Sequence, residues 1–209
     1  MTKRNLIDLL KHRLAGGDCP QELKGKYHPK ILEKHIEIVQ NYLIKTVAYR
    51  EAEKQNDWGL LDAYTKTYPN VAVNFDEERN EYYCDIPISI VDLPQNRGIR
   101  FISDRQNQAV QYIYRDNNSV DIFSNLDIDR VSTKPRWYRE SDKVFFSRHL
   151  SSLINGVLMK LIPAFSSLED NDEVSIPSAY AKSIFDLVFQ SLMGMPPEKM
   201  SNDNNSNVP

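Results

Sequence analysis

The chain has 209 residues, 41% hydrophobic and 26% charged, which is enough to build a real core without disulfide staples. Lys+Arg 26 against Asp+Glu 29 leaves a net charge of −3, too balanced for a general nucleic-acid or membrane-surface binder. Glycine, at 7 residues, is present at about half its average usage, which argues against glycine-cradled phosphate chemistry.

Met1-Thr2-Lys3-Arg4 is basic, but Asp8, Lys11, His12 and Arg13 interrupt the segment after it, so no secretory signal is legible and a reducing cytoplasmic setting is expected. No apolar run approaches the ~18–20 residues a membrane helix needs. Leu6, Leu10 and Leu14 recur at spacings of four and predict a short helix over residues 3–15, ended by Gly16-Gly17. Pro29 then opens a long helix, about 29–55, in which Leu32, Ile36, Val39, Leu43 and Val47 recur every three or four residues. A further helix is predicted over 58–67, with Asp57 as its cap and Leu60, Leu61 and Tyr64 facing inward.

At Pro69 the period changes to two. Val71, Val73 and Phe75 predict a strand, Asp76–Asn80 a charged turn, and Tyr82, Cys84 and Ile86 the returning strand of a hairpin. Further strands are expected at 99–103, 110–114, 136–139 and 144–146, the last two joined by the tight turn Glu140-Ser141-Asp142-Lys143. Residues 157–165 read as extended, although Pro163 argues against a central strand. After the acidic loop 169–173, Tyr180, Ile184, Leu187, Val188 and Ser191 mark a C-terminal helix stopped by Gly194. The order of elements predicts an α+β fold: N-terminal helices (1–68), an antiparallel β-rich insertion (69–165), a C-terminal helix packing back on the N-terminal ones (166–200) and a flexible polar tail (201–209), all in one composite domain.

Motifs for chemistry are sparse. His12, His28, His35 and His149 have no metal-ligand spacing, and His35 reads as a packing histidine on the long helix. Cys19 and Cys84 lack CxxC spacing and read as plain thiols. Asp127 and Asp129, which share a face if extended, and the acidic loop 169–173 could each present oxygens to Mg²⁺ or Ca²⁺; the loop lacks the glycine and the order of an EF-hand and reads as a solvated turn. No nucleophile elbow, P-loop or dinucleotide fingerprint occurs, so no catalytic residue and no cofactor is assigned. The densest group of recognition-type residues is Arg136, Trp137, Tyr138, Arg139 and Phe145, joined by Lys134, Lys143 and Arg148. Trp, Tyr and Arg are enriched at interface centres, whereas basic and aromatic interleaving also suits a nucleic-acid strand. With Glu140 and Asp142 in the same hairpin, the five residues read as a candidate protein interface with Trp137 as its anchor, or as plain sheet packing, ahead of a nucleic-acid site.

Residues 71–102, with Tyr82-Tyr83-Cys84-Asp85-Ile86-Pro87, Val91-Asp92-Leu93-Pro94 and Gly98-Ile99-Arg100, resemble small virion proteins of tailed phages of Bacteroidetes. Residues 176–205, with Ile176-Pro177, an apolar helix, Met193-Gly194-Met195-Pro196-Pro197 and an Asn/Asp tail, are similar to endings of ring or head-to-tail connector proteins of crAss-like podoviruses. The resemblance implies a non-enzymatic structural subunit of a homo-oligomeric ring of about twelve copies, assembled in the host cytoplasm and carried in the portal–tail region of the virion. It would dock on the portal protein and neighbouring ring or tail proteins, and pass double-stranded DNA without reading its sequence. The competing expectations are a metal-dependent nuclease using Asp127 and Asp129, and a small cytosolic regulatory binding protein.

Overall fold

The computed structural model describes residues 1–14, 28–106, 108, 111–115, 135–146, 156–176 and 178–192. The apolar residues at the start of the chain make α1 (Lys3–Leu14), which buries Leu6, Ile7 and Leu10. Its first N–H groups, which no helix satisfies internally, donate to the acidic loop: Lys3 N–H to Asp172 O at 2.9 Å and Arg4 N–H to Asp170 O at 3.0 Å. The loop 169–173 thus serves as a backbone cap for α1, with its carboxylates at the favourable end of the helix dipole. Lys3 is buried; its ammonium donates to Leu168 O at 2.8 Å, lies 3.8 Å from a Glu33 oxygen and sits over the Phe165 ring.

The long helix begins at Pro29 and ends at Gln55, the bounds expected from its apolar period. It consists of α2 (Pro29–Tyr42), a π-helical stretch (Leu43–Ala48) and α3 (Tyr49–Gln55). His28 caps it, Nδ1 accepting the Lys30 N–H at 3.3 Å, a role that its isolated position in the sequence does not signal. Asn56 closes it in the left-handed conformation (φ 50°), as helix C-termini prefer. Asp57 then caps a 3₁₀ turn, Trp58–Tyr64, its Oδ1 accepting Gly59 N–H at 3.0 Å. The helix expected over 58–67 therefore stops at Tyr64. Thr65, Thr67, Tyr68 and Pro69 are strand formers or helix breakers, and the chain is already extended at Lys66.

The C-terminal helix α4 (Ser178–Leu192) packs against α2. His35 meets it there, with Nδ1 2.8 Å from Ser191 Oγ, the packing histidine expected from the sequence. Burial, and secondarily Lys34, lower the pKa of His35 from its ordinary value, about 6.5. The folded state therefore binds fewer protons than the unfolded one as pH falls below ~6.5. The corresponding stability is complete above that pH and is lost on descent through the lowered folded-state value. Urea midpoints measured from pH ~7.5 to ~5 should fall less steeply for His35→Gln than for the wild type.

Residues 65–163 form one compact unit and residues 1–64 with 164–209 the other, where the order of elements alone suggests a single composite domain. Each has its own apolar core. In the β unit, β1 (Lys66–Val71), β8 (Val157–Leu161) and β4 (Ile99–Asp104) make a three-stranded sheet in the order β1-β8-β4. A five-stranded sheet has the order β2-β3-β7-β6-β5, from β2 (Asn74–Asp76), β3 (Glu81–Asp85), β5 (Ile113–Tyr114), β6 (Arg136–Glu140) and β7 (Lys143–Phe146). All pairings are antiparallel except β5 with β6. Between β1 and β2 lie only Ala72 and Val73, and Gln111 bridges Ser103 of β4 just before β5 begins, so strands pass from sheet to sheet at corners. Val71, Cys84, Ile102, Trp137, Val144, Phe146, Val157, Met159 and Leu161 fill the core. The strand expected over 71–75 is interrupted by this corner, which leaves Phe75 exposed beside Tyr82. Of the strand expected at 110–114, Ile113–Tyr114 is β5 and Gln111 makes an isolated bridge, while residue 110 lies outside the described residues; β8 is central but stops before Pro163, as a residue without an N–H requires.

The β6–β7 turn has the predicted residues, with Ser141 at φ 53°. Ser141→Gly removes the steric cost of that conformation, partly offset by the entropy of glycine in the unfolded chain. A gain of about 0.5 kcal/mol in thermal unfolding is expected.

Candidate functional site

The register of the β6–β7 hairpin decides where the candidate interface residues go. Trp137 pairs with Phe146 and Arg139 with Val144, whereas Tyr138 pairs with Phe145 and Glu140 with Lys143. Successive side chains point to opposite faces, so the five residues cannot form one patch. Trp137, 4% exposed, faces the core with Tyr114 at 4.9 Å between ring centroids. Its expected role as an exposed anchor is overturned.

Arg139 shares that side of the strand, and its guanidinium ties down the loop before β4. Nε donates to Ser141 O at 2.8 Å and Nη1 to Asn96 Oδ1 at 3.4 Å, with Asp92 Oδ1 at 3.6 Å. Asn96 in turn donates to the Tyr114 hydroxyl at 3.0 Å. This is an internal clamp rather than an anchor for a partner.

Arg136, Tyr138 and Phe145 lie on the outward face, away from the core, and there the site is larger than the five residues suggested by sequence. Tyr83 of β3 pairs with Phe145, which sets three rings in a row across adjacent strands. Tyr83 and Phe145 lie 5.8 Å apart, and Tyr138 stacks on Phe145 at 5.3 Å with planes inclined by 14°. Phe145 is only 3% exposed although it points outward. Tyr138 and Tyr83 pack beside it and the Arg79 guanidinium lies over it, 4.8 Å from the ring centroid, while the Lys143 ammonium lies 4.3 Å from the centroid of Tyr83. Arg79 forms a two-pronged ion pair with Glu140, with Nη2 to Oε1 at 3.2 Å and a closer contact from Nη1 to Oε2. Tyr138 donates its hydroxyl proton to Glu81.

These partners set the electrostatics. The hydrogen bond and charge of Glu140 raise the Arg79 pKa, and the same bond lowers that of Glu140. Burial, then the hydrogen bond to Glu81, pushes the Tyr138 phenol up. Burial likewise pushes the Cys84 thiol up, which keeps it protonated and unreactive. The face carries Asp76, Glu81, Asp85 and Glu140 alongside Arg79, Arg136 and Lys143. That mixture suits a protein surface better than a phosphate backbone. Arg79 and Tyr83 are invisible as site residues in the sequence because they enter only through the pairing of β3 with β7, a contact between segments about 60 residues apart that no local pattern signals.

The helical unit has a surface of its own. Between α1 and α4 lies a groove of about 250 Å³ lined by Leu10, Arg13, Leu14, Phe185, Asp186 and Phe189. Arg13 spans it, 3.4 Å from Asp186 and over the Phe185 ring, while Leu9 and Phe189 stand exposed.

Among the described residues, no group of His, Cys, Asp or Glu is placed to hold a metal ion, and no helix is long and apolar enough to cross a membrane. Asp127, Asp129, Lys134, Arg148, His149, Cys19 and the tail 201–209 lie outside the described residues. In comparisons with known proteins, no family model and no curated protein matches this chain.

Proposed function

We propose that the chain is a non-catalytic structural subunit of a homo-oligomeric ring in the portal–tail connector of a tailed phage of the podovirus type, built of about twelve copies around the DNA channel. Ring closure needs two different surfaces on each copy, so that the head of one meets the tail of the next. The observation that carries the reading is that each of the two units exposes large apolar side chains of its own. The helical unit exposes Leu9 and Phe189 beside the α1–α4 groove, and the β unit exposes Phe75 and Ile113. The sequence resemblance of residues 71–102 and 176–205 supplies the virion setting. A net charge of −3 also suits a wall past which DNA slides without being held.

Sedimentation velocity of the purified chain, alone and mixed with its portal protein, tests this. A closed ring in either sample is the expected result, with Phe189→Ser lowering the ring fraction. A chain that remains monomeric in both, or a Mg²⁺-dependent DNA cleavage abolished by Asp127→Asn and Asp129→Asn, overturns it.

A further inference from the structure

We infer that the outward face of the five-stranded sheet is a receptor for a guanidinium group, and that Arg79 is a tethered occupant holding the place an arginine side chain of a protein partner takes on docking. The ligand class is read from what the site already holds. A guanidinium is recognised by ring faces, whose quadrupole is negative, and by a carboxylate that accepts two parallel N–H groups. Both elements are present: the Arg79 guanidinium lies over Phe145, which Tyr138 and Tyr83 flank, and Glu140 takes both terminal nitrogens. Glu81, anchored by the Tyr138 hydroxyl, adds a second carboxylate to the same face.

Arg79 is positioned to leave without unravelling its turn. The turn is held by Asp76, whose Oδ1 accepts the N–H groups of Glu78 at 3.0 Å and Arg79 at 3.2 Å, and neither bond involves the guanidinium. The side chains of Arg79 and Glu140 are 45% and 47% exposed, and ion pairs so accessible to water are held weakly. Once Arg79 swings out, the face of Phe145 that it lies over is freed, and the sheet face keeps four carboxylates, Asp76, Glu81, Asp85 and Glu140, against two cations, Arg136 and Lys143, a net negative charge that favours an incoming guanidinium. An incoming lysine lacks the planar fork and the stacking that fit this site. The inference does not depend on ring assembly, since a monomeric chain would present the same face.

A tethered side chain competes at an effective concentration in the millimolar range, so removing it should strengthen binding of a free guanidinium. The probe is N-acetyl-arginine amide, with the citrulline analogue, equal in shape but uncharged, as control. Calorimetric titration should give saturable binding about tenfold tighter to Arg79→Ala than to the wild type. Adding Glu140→Gln should weaken that binding on the order of tenfold, and citrulline should not bind. Arg79→Ala that is folded by near-ultraviolet circular dichroism yet binds arginine no better than wild type, or binds citrulline equally, overturns the proposal. Should that variant fail to fold, the Arg79 Nε–H resonance of the wild type decides. Tens of millimolar probe, roughly the excess needed against a millimolar tether, should shift it to its free position, and an unmoved signal overturns the proposal.

Discussion

Trp137→Ala is expected to destabilise the β unit by about 3–5 kcal/mol, the usual cost of truncating a large aromatic in a packed core. Trp137 lies among Tyr114, Phe146 and the core aliphatics, 4% exposed. Alanine there leaves a cavity that β strands, fixed by their ladders, cannot close. Urea unfolding followed by tryptophan-independent circular dichroism measures the loss. Tyr138→Ala, one residue away on the opposite face, removes a stacked ring at the surface and should cost only about 0.5–1.5 kcal/mol. A larger loss for Tyr138→Ala than for Trp137→Ala would mean that the register of β6 on β7 is shifted by one residue, because a slip of one exchanges the two faces.

Gly98→Ala is expected to cost as much as a core truncation, although it adds a single methyl group. A Cβ at Gly98 would stand 2.3 Å from the Val91 carbonyl oxygen, with Ile90 Cδ1 at 3.4 Å. The oxygen cannot move aside cheaply. Gly98 O accepts the Ile162 N–H at 2.9 Å, and Ile162 O accepts the Val91 N–H at 2.9 Å, so the three backbones are locked together at the end of β8. Relief requires breaking at least one buried backbone hydrogen bond, for a loss of about 2–4 kcal/mol. Denaturant midpoints of Gly98→Ala against Gly59→Ala make the comparison: at Gly59 the nearest atom is the exposed Asp57 carboxylate, which can shift at the cost of its cap hydrogen bond to the Gly59 N–H.

Local pattern carries the helices well. The apolar spacing from Leu32 to Val47, bounded by Pro29 and Asn56, is a feature of one contiguous segment, and the helix it predicts forms, although the π-helical stretch Leu43–Ala48 passes the buried face from Val47 to Ile44 and Ala48. The hairpins at 76–80 and 140–143 are legible for the same reason, since turn chemistry and alternation sit side by side in sequence. Features decided by distant partners are not. Lys66–Val71 is a strand because β8, some 90 residues later, pairs with it. Trp137 has the composition of an interface anchor because composition counts residue types, whereas the pleat assigns each one a face. Of the three rings in the outward row, Tyr138 and Phe145 are visible in sequence; Tyr83, and the Arg79 that lies over Phe145, arrive from a separate hairpin.

The helical unit is discontinuous: its last helix is encoded after the whole β unit, residues 65–163. A ribosome therefore releases every strand of the β unit before α4 exists to cover the α2 face that awaits it. At roughly 5–20 residues per second, the interval from residue 163 to residue 192 lasts on the order of seconds. That is far longer than helix formation or a hairpin needs. During it the α2 residues that pack against α4, His35 among them, face solvent on a nascent chain. Translation speed over the last stretch, rather than any property of the completed molecule, then governs how much chain is lost to aggregation. Slow codons placed after residue 163 should lower soluble yield, and fast ones should raise it.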